Sequence, residues 1–246
     1  MAEFRHYILT RFNAGLYGPN PWKRADPQAW MDHRMRLFTT ITLPSMAGQS
    51  CQDFTWLVLM DRRTPERYVR ELERFACPTM KLIFEQPDHP DWRQGLSPGR
   101  YDLMTTRIDN DDALYRDAVK DIQDAWRARS QTQAKPWLIV FPFGLILDLA
   151  DRRMWVMEYW FNNCLTLVED LQDSGTVYRW QHCQIPGEVP RLCIQEKPYW
   201  LQVVHSQNVL NAIESDNPLR IVHKELPAAI ELLEQFGIDP AGLPEF

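Results

Sequence analysis

The chain has 246 residues, 45% of them apolar, and a formal net charge of −6 at pH 7. This length and composition suffice to bury a full core, so we expect a compact globular protein of one domain, residues 1–246. The interspersed charges argue against a nucleic-acid partner held through phosphate neutralisation. The five cysteines, odd in number and without a C-x-x-C pair, argue against a disulfide framework or a zinc site.

The apolar segments predict where the protein resides. Residues 1–7 lack the basic and then apolar layout of a signal peptide. The longest apolar run, residues 138–147, is too short to span a bilayer and contains a proline and a glycine. We therefore expect a cytoplasmic protein with no transmembrane segment.

The first half of the chain alternates between predicted strands and predicted helices. Apolar residues at i, i+4 and i+7 predict a helix over residues 27–43, which Pro44 is expected to end. Similar spacing predicts helices over 65–75 and 115–126. Such alternation favours an α/β fold with a mainly parallel sheet flanked by helices. The predicted strands are short apolar segments at residues 6–12, 54–60, 80–84 and 103–108.

The second half has a different pattern. Residues 137–149 and 154–160 predict a β-hairpin. Residues 162–171 are interpreted as a helix and residues 227–236 as a closing helix. Two further segments, 176–180 and 198–205, have the composition of strands. Before this half, residues 85–100 form a proline-rich loop that is long enough to suggest a lid.

The most informative stretch is T-T-R-I-D-N-D-D-A-L, residues 105–114. If the preceding strand continues, Asp109 and Asp111 share one face. Two carboxylates about 5 Å apart repel by about 3 kcal/mol at an effective dielectric near 20, which a divalent cation would relieve. Oxygen ligands favour Mg²⁺ or Mn²⁺. The same residues are also good turn and helix-capping chemistry, and spacing alone leaves both interpretations open.

Two more candidates lie at predicted strand ends. Arg11 ends the first strand before a loop rich in Gly, Pro and Asn, and Asp61 ends the second. The carboxyl ends of parallel strands are where α/β sheets place their ligands. Arg11 therefore either meets a phosphate or is an ordinary surface arginine.

Taken together, these stretches resemble the GT-A glycosyltransferases, and within them a bacterial family of rhamnosyltransferases. The resemblance covers most of the chain, and its motifs are jointly far more specific than a D-x-D alone. The matching stretches are L-T-R-F-N (9–13), L-P-S (43–45) with Gln49, F-T-W-L-V (54–58) running to Asp61, T-T-R-I-D-N-D-D (105–112), and W-L-Q-V-V-H (200–205) with Asn208.

The resemblance implies a metal-dependent glycosyltransferase of polysaccharide biosynthesis. It would move a sugar, rhamnose in that family, from a nucleotide-diphospho-sugar to a glycan or other small acceptor. Residues up to about 130 would bind the nucleotide, and 131–246 would shape the acceptor side. The implied ligands of Mn²⁺ or Mg²⁺ are Asp109, Asp111 and His205. The implied nucleotide contacts are Thr10, Arg11, Asp61, Arg107 and Asp109.

An inverting transferase also needs a carboxylate that takes the proton of the acceptor hydroxyl. The candidates are Asp112 and the pair Glu169 and Asp170, with Glu158 also open. Rhamnosyl transfer from a β-linked donor to an α-product would invert the configuration at the anomeric carbon. For the pair, a solvated helix surface is the alternative. For His205, the alternative is a hydrogen-bonded core histidine.

Two other functions stay open. A sugar-phosphate nucleotidyltransferase normally needs a glycine-rich loop with a basic residue after the first strand, and residues 13–18 are too sparse in glycine for it. A non-catalytic sugar- or nucleotide-binding protein of the same fold predicts metal-independent binding. An acceptor carried on a lipid would bring the protein to the inner membrane surface, although the sequence has no basic amphipathic helix to hold it there.

Overall fold

The computed structural model describes residues 3–14, 26–85, 91, 93–129, 134–173, 175–208, 213, 219–226 and 229–244. Its larger sheet has seven strands in the order β10-β6-β9-β4-β1-β2-β3. All neighbours run parallel except β9, which is antiparallel to both β4 and β6. The strands are β1 (Phe4–Arg11), β2 (Thr55–Asp61), β3 (Met80–Glu85), β4 (Asp102–Arg107), β6 (Trp137–Val140), β9 (Thr166–Asp170) and β10 (Arg191–Cys193).

A second sheet of five strands has the order β12-β8-β7-β11-β5. Its strands β7 and β8 pair in antiparallel fashion and confirm the predicted hairpin. Each sheet takes strands from both halves of the sequence, since β5 precedes residue 130 and β6, β9 and β10 follow it. The strands are β5 (Ala113–Leu114), β7 (Phe143–Asp148), β8 (Arg153–Tyr159), β11 (Trp200–Val204) and β12 (Arg220–Glu225).

Among the described residues, four α-helices accompany the sheets: α1 (Pro27–Leu37), α2 (Leu43–Ala47), α3 (Glu66–Phe75) and α4 (Ala118–Arg129). The predicted helix end at Pro44 is wrong, because α1 continues through a π-helical segment, Phe38–Thr42, into α2. Pro44 lies in the first turn of α2, directly after the π-helical segment, where the regular i→i−4 hydrogen-bond pattern is already interrupted. The predicted α/β class with a mainly parallel sheet is confirmed.

The core lies on both faces of the large sheet. On one face, Ile8, Trp56 and Val58 pack with buried side chains of α1, α3 and α4. On the other face, Leu9, Leu57 and Leu103 are covered by Tyr101 and Tyr178 rather than by an α-helix. Both faces of the central strands are therefore buried, which explains the near-continuous apolar run of β2.

Three predicted elements differ from the structure. The helix over residues 162–171 is wrong, because its second part is β9, buried between β4 and β6. The strand over 176–180 is wrong, because Val177–Arg179 is a 3-10 turn. The closing helix lies where expected but is a 3-10 helix, Ala229–Phe236, and Gly237 follows it with φ of +71°. Residues 227 and 228, and 86–90 and 92 of the predicted lid, lie outside the described residues.

Two features of the topology bring distant residues to one place. The chain leaves β1 towards β2 on one side and reaches β4 on the other, so the carboxyl ends of these strands border a topological switch point. Strand β5 then pairs with β11, with Ala113 opposite Leu201. This pairing brings the residue after β11, His205, to the acidic loop after β4. Within the described ranges, no helix is long and apolar enough to cross a bilayer.

Candidate active site

The acidic loop after β4, residues 108–112, is held in place by hydrogen bonds between side chains and backbone carbonyls. The Asn110 side chain donates to the Phe12 carbonyl over 2.6 Å, which ties the loop to the end of β1. The Thr42 hydroxyl donates to the Asp112 carbonyl over 2.9 Å, which ties it to the helical layer. These two hydrogen bonds fix the backbone of the loop, and Asp109, Asp111 and Asp112 each lie in different surroundings.

Asp109 faces the basic side of the loop. Arg107 donates to its carboxylate through Nε (3.1 Å) and Nη2 (3.0 and 3.1 Å), and the Asn163 amide donates over 2.8 Å. Burial alone would raise the pKa of Asp109, but the positive charges of Arg107 and Arg11 lower it. Asp109 is therefore a carboxylate at neutral pH, with much of its charge already balanced.

Asp111 lies between a guanidinium and an imidazole. Its Oδ2 is 2.6 Å from Arg34 Nη1 and 3.0 Å from His205 Nε2. Burial would raise the pKa of this carboxyl, but Arg34 and His205 together lower it to about 2. Asp111 and His205, both expected as metal ligands, are thus in direct contact.

The two nitrogens of His205 have different partners. The backbone N–H of Gln207 donates to Nδ1 over 3.2 Å, which assigns the proton to Nε2, facing Asp111. His33 Nε2 also lies 3.0 Å from Nδ1. Burial, followed by the nearby His205 and Arg34, lowers the pKa of His33 to about 4, so His33 is neutral at pH 7.

Asp112 is enclosed and does not reach the surface. It is 0% exposed, and its two oxygens accept from the Val203 N–H (3.0 Å) and the Asn163 amide (2.7 Å). Burial, with the charges of Asp111 and Asp109, raises its pKa well above the usual value. The structure therefore gives Asp112 the place of an internal link between the loop and β11, away from any acceptor hydroxyl.

Of the predicted nucleotide contacts, Arg11 and Asp61 end their strands at the carboxyl edge, whereas Thr10, one residue earlier in β1, has its side chain in the core. The Arg11 guanidinium is 5.0 Å from the centre of the Tyr178 ring, with Arg107 5.6 Å from the same ring. Asp61, 1% exposed, accepts from the guanidinium of Arg63 over 2.7 and 3.0 Å. The Thr10 hydroxyl is fully buried and accepts from the Trp56 indole over 2.9 Å, so its side chain belongs to the core.

The pair expected to supply a catalytic base lies at the wrong end of the sheet. Glu169 and Asp170 pair with Leu103 and Asp102 at the start of β4, whereas the acidic loop follows the end of this strand. Four residues of strand separate the two places, about 13 Å. Glu169 accepts from the Thr176 N–H (2.7 Å) and Arg179 (2.8 Å), so it holds the turn after β9. Glu158 lies in the second sheet, beside His223 (3.3 Å).

Asp111 and His205 carry the kinds of ligand atom that a divalent ion could bind. The 3.0 Å between Asp111 Oδ2 and His205 Nε2 equals the separation of adjacent ligands in an octahedron with bonds of about 2.1 Å. An ion on Nε2 would require the proton on Nδ1, where His33 Nε2 could accept it, and the Gln207 N–H would then have to give up its bond to Nδ1. In the described part of the chain, no group of three or more His, Cys, Asp or Glu could hold an ion unaided.

A comparison with protein families identifies the chain's family. A family model described as "Putative rhamnosyl transferase" matches residues 24–217, more than three quarters of the sequence. The chain belongs to this family. This membership agrees with the family resemblance that the sequence motifs indicate. No curated protein sequence matches the chain.

Three crystal structures of S. aureus TarS are similar to this rhamnosyl transferase family member over 82% of its length. TarS 1–349 in complex with UDP has 10% identity and a TM-score of 0.44, and a second structure of TarS 1–349 has 11% and 0.42. A structure of TarS has 12% and 0.43. The chain spans 60% of TarS 1–349 and 37% of the longer TarS chain.

Three site residues of this rhamnosyl transferase family member were not found by sequence reasoning: His33, Arg34 and Asn163. For Arg34 a signal exists, because it lies three residues after Met31 on the buried side of α1. A charged residue on an apolar helical stripe needs a partner, which here is Asp111. Asn163 has no such signal, since it lies 54 and 51 residues from the two aspartates that it joins.

Proposed function

We propose that this family member is a glycosyltransferase that depends on a divalent metal and takes its sugar from a nucleotide-diphospho-sugar. The observation that carries the proposal is the contact of Asp111 with His205, residues separated by 94 positions, at the carboxyl edge of the sheet. A buried carboxylate and imidazole at that edge, without a third protein ligand, suit an ion whose remaining ligands are phosphate oxygens.

The chemistry of glycosyl transfer explains why such a site is needed. The bond between the anomeric carbon and the phosphate oxygen breaks, the acceptor oxygen bonds to the carbon, and the acceptor loses its proton. Negative charge develops on the leaving diphosphate, and a bound ion would stabilise it there. Arg11 and Arg107, on neighbouring parallel strands of the same edge, add fixed positive charge.

The arrangement of charges suggests how the donor lies. The basic residues Arg11 and Arg107 belong to the central strands β1 and β4, whereas Asp61 ends the neighbouring strand β2. We expect the diphosphate above β1 and β4, beside Asp111, and the nucleoside above β2. Asp61 then lies on the side of the ribose or the base, as an acceptor for their hydroxyl or N–H groups.

Calorimetry tests the donor and the metal together. UDP, dTDP and GDP are titrated with and without Mn²⁺ into the wild type, Asp111→Asn and the control Asp151→Asn, which changes an exposed aspartate of the β7–β8 turn. We expect one nucleotide to bind with Mn²⁺ at least a hundredfold more tightly than without it. The Asp111 variant should lose this gain and the control should keep it. Equal affinity with and without Mn²⁺ would contradict metal dependence and favour a metal-independent binding protein.

Product analysis separates the transferase from a nucleotidyltransferase. Incubation with a nucleotide-sugar and Mn²⁺ should release the nucleoside diphosphate, whereas a nucleotidyltransferase would release or consume pyrophosphate. The family match favours rhamnose as the sugar, and we propose inversion at its anomeric carbon. The anomeric configuration of the product by NMR, compared with that of the donor, tests inversion directly.

A further inference from the structure

Arg34 reaches the same oxygen that the proposed ion needs. Its side chain is 8% exposed, and Nη1 lies 2.6 Å from Asp111 Oδ2 and 3.1 Å from Asn110 Oδ1. Nη2 lies 3.4 Å from the Gln207 carbonyl, and the guanidinium is 5.4 Å from the centre of the Trp30 ring. A buried guanidinium beside the expected metal ligand is a fixed positive charge at the position where the ion's charge is required.

Resting on the proposed function, we propose that Arg34 occupies the cation position at Asp111 until the donor arrives, and so makes metal binding depend on the donor's diphosphate. The guanidinium and the ion carry charge of the same sign and share one carboxylate oxygen. Without a further anion, each therefore disfavours the other. A bound diphosphate removes this conflict because it adds enough negative charge to accommodate both cations.

The donor groups of Arg34 support a second position beside the diphosphate. Arginine forms paired, charge-assisted hydrogen bonds with phosphate oxygens. Nε of Arg34 is buried and makes no hydrogen bond in the structure, so one strong donor still lacks an acceptor. The contacts to Asn110 and Gln207 hold the guanidinium within the site while the bond to Asp111 is exchanged. One phosphate oxygen would accept from Nε, and a second oxygen, on the other edge of the guanidinium, would replace the carboxylate as the partner of Nη1.

The coupling is measurable without turnover. Free Mn²⁺ has an EPR signal that is lost when the ion binds, so the dissociation constant of Mn²⁺ from the protein can be measured. The measurement is made with and without a saturating nucleoside diphosphate, chosen from UDP, dTDP and GDP as the one that binds best. In the wild type, we expect the nucleotide to tighten Mn²⁺ binding at least a hundredfold. Arg34→Gln should bind Mn²⁺ alone at least tenfold more tightly than the wild type and lose most of the coupling.

Two further variants make the result specific. Arg34→Lys keeps the positive charge and should keep the weak binding of Mn²⁺ alone, while losing affinity for the nucleotide because the paired hydrogen bonds are lost. Arg36→Gln removes an exposed arginine of the same helix and should behave as the wild type. Thermal melting of each variant verifies that the fold is retained.

The possible failures are distinguishable. If Arg34→Gln binds Mn²⁺ alone as weakly as the wild type, or keeps the full coupling, the role of Arg34 is refuted while the proposed function stands. If the wild type binds the nucleotide equally well without Mn²⁺, the proposed metal dependence fails. If Mn²⁺ binds tightly to the wild type in the absence of nucleotide, Arg34 does not guard the site.

Discussion

Asn163 offers the most quantitative test of the site's electrostatics. Its amide nitrogen donates to Asp109 over 2.8 Å and to Asp112 over 2.7 Å, so one side chain separates two buried carboxyl groups. Asn163→Asp has nearly the same shape. It replaces both donated hydrogen bonds with a third carboxylate that faces the other two.

The expected loss of stability follows from two contributions. Each hydrogen bond to a charged group contributes about 1.5–3 kcal/mol. After relaxation to about 4 Å, the new carboxylate and Asp109 repel by about 4 kcal/mol at an effective dielectric of 20. Proton uptake by the new carboxyl and rearrangement of the side chains offset part of this. We therefore expect a net loss of about 3–6 kcal/mol at pH 7.

Urea unfolding at pH 7 and pH 5 measures this loss of stability and the direction in which it changes with pH. The neighbouring carboxylates raise the folded-state pKa of the new carboxyl, so the folded variant binds more protons than the unfolded one. Its deficit should therefore shrink as the pH falls from 7 to 5. Asn163→Ala loses the hydrogen bonds without adding a charge, so it should show a smaller deficit and a weaker pH dependence of the same sign, because those bonds lower the pKa of Asp109 and Asp112. A deficit below about 0.5 kcal/mol in Asn163→Asp, or one that grows towards pH 5, would refute the reasoning.

Three further predictions concern other parts of the structure. Burial lowers the pKa of His6 to about 3, so its contribution to the free energy of unfolding should be complete above pH 6.5 and should be lost as the pH falls towards 3. In His6→Gln, the slope of the free energy of unfolding against pH, measured by urea unfolding, should be smaller by about 1.4 kcal/mol per pH unit in this range. Gly144→Ala would place Cβ 2.0 Å from the Trp200 ring, so it should lower the free energy of unfolding by about 3 kcal/mol, and an unchanged melting temperature would contradict this packing. Glu169→Gln should lose about 1–3 kcal/mol of stability with unchanged nucleotide affinity and transfer rate. A hundredfold slower, fully stable variant would instead restore Glu169 as the base.

The elements that sequence predicts well are those whose own pattern decides their structure. Strand β2 is an unbroken apolar run, and α3 and α4 carry apolar residues at helical spacing. Strand β9 has only five residues, T-L-V-E-D, which suit a helix or a strand. Its conformation is decided by β4 and β6 on either side, and this long-range pairing is invisible in a local window.

The same distinction applies to the candidate site. Asp109 and Asp111 are two residues apart in sequence, so their spacing and the resemblance to GT-A enzymes indicate them at once. Each also has a distant partner that its local sequence does not indicate: Arg34 lies 77 residues from Asp111, and Asn163 lies 54 from Asp109. Asp112 carries the same chemical group as its neighbours, but its burial against β11 is decided by the β5–β11 pairing. Sequence therefore indicates the acidic cluster, and the fold assigns its members different roles.

The central feature of the proposed function is an ion bound to Asp111 and His205 in the presence of the donor's diphosphate. Crystals grown with Mn²⁺ and the nucleoside diphosphate that binds best, with diffraction recorded to include the manganese anomalous signal, test this directly. We predict one strong anomalous peak within bonding distance of Asp111 Oδ2 and His205 Nε2, with phosphate oxygens completing its ligands. A bound nucleotide without that peak, or a peak bound to other residues while Arg34 stays on Asp111, would contradict the account.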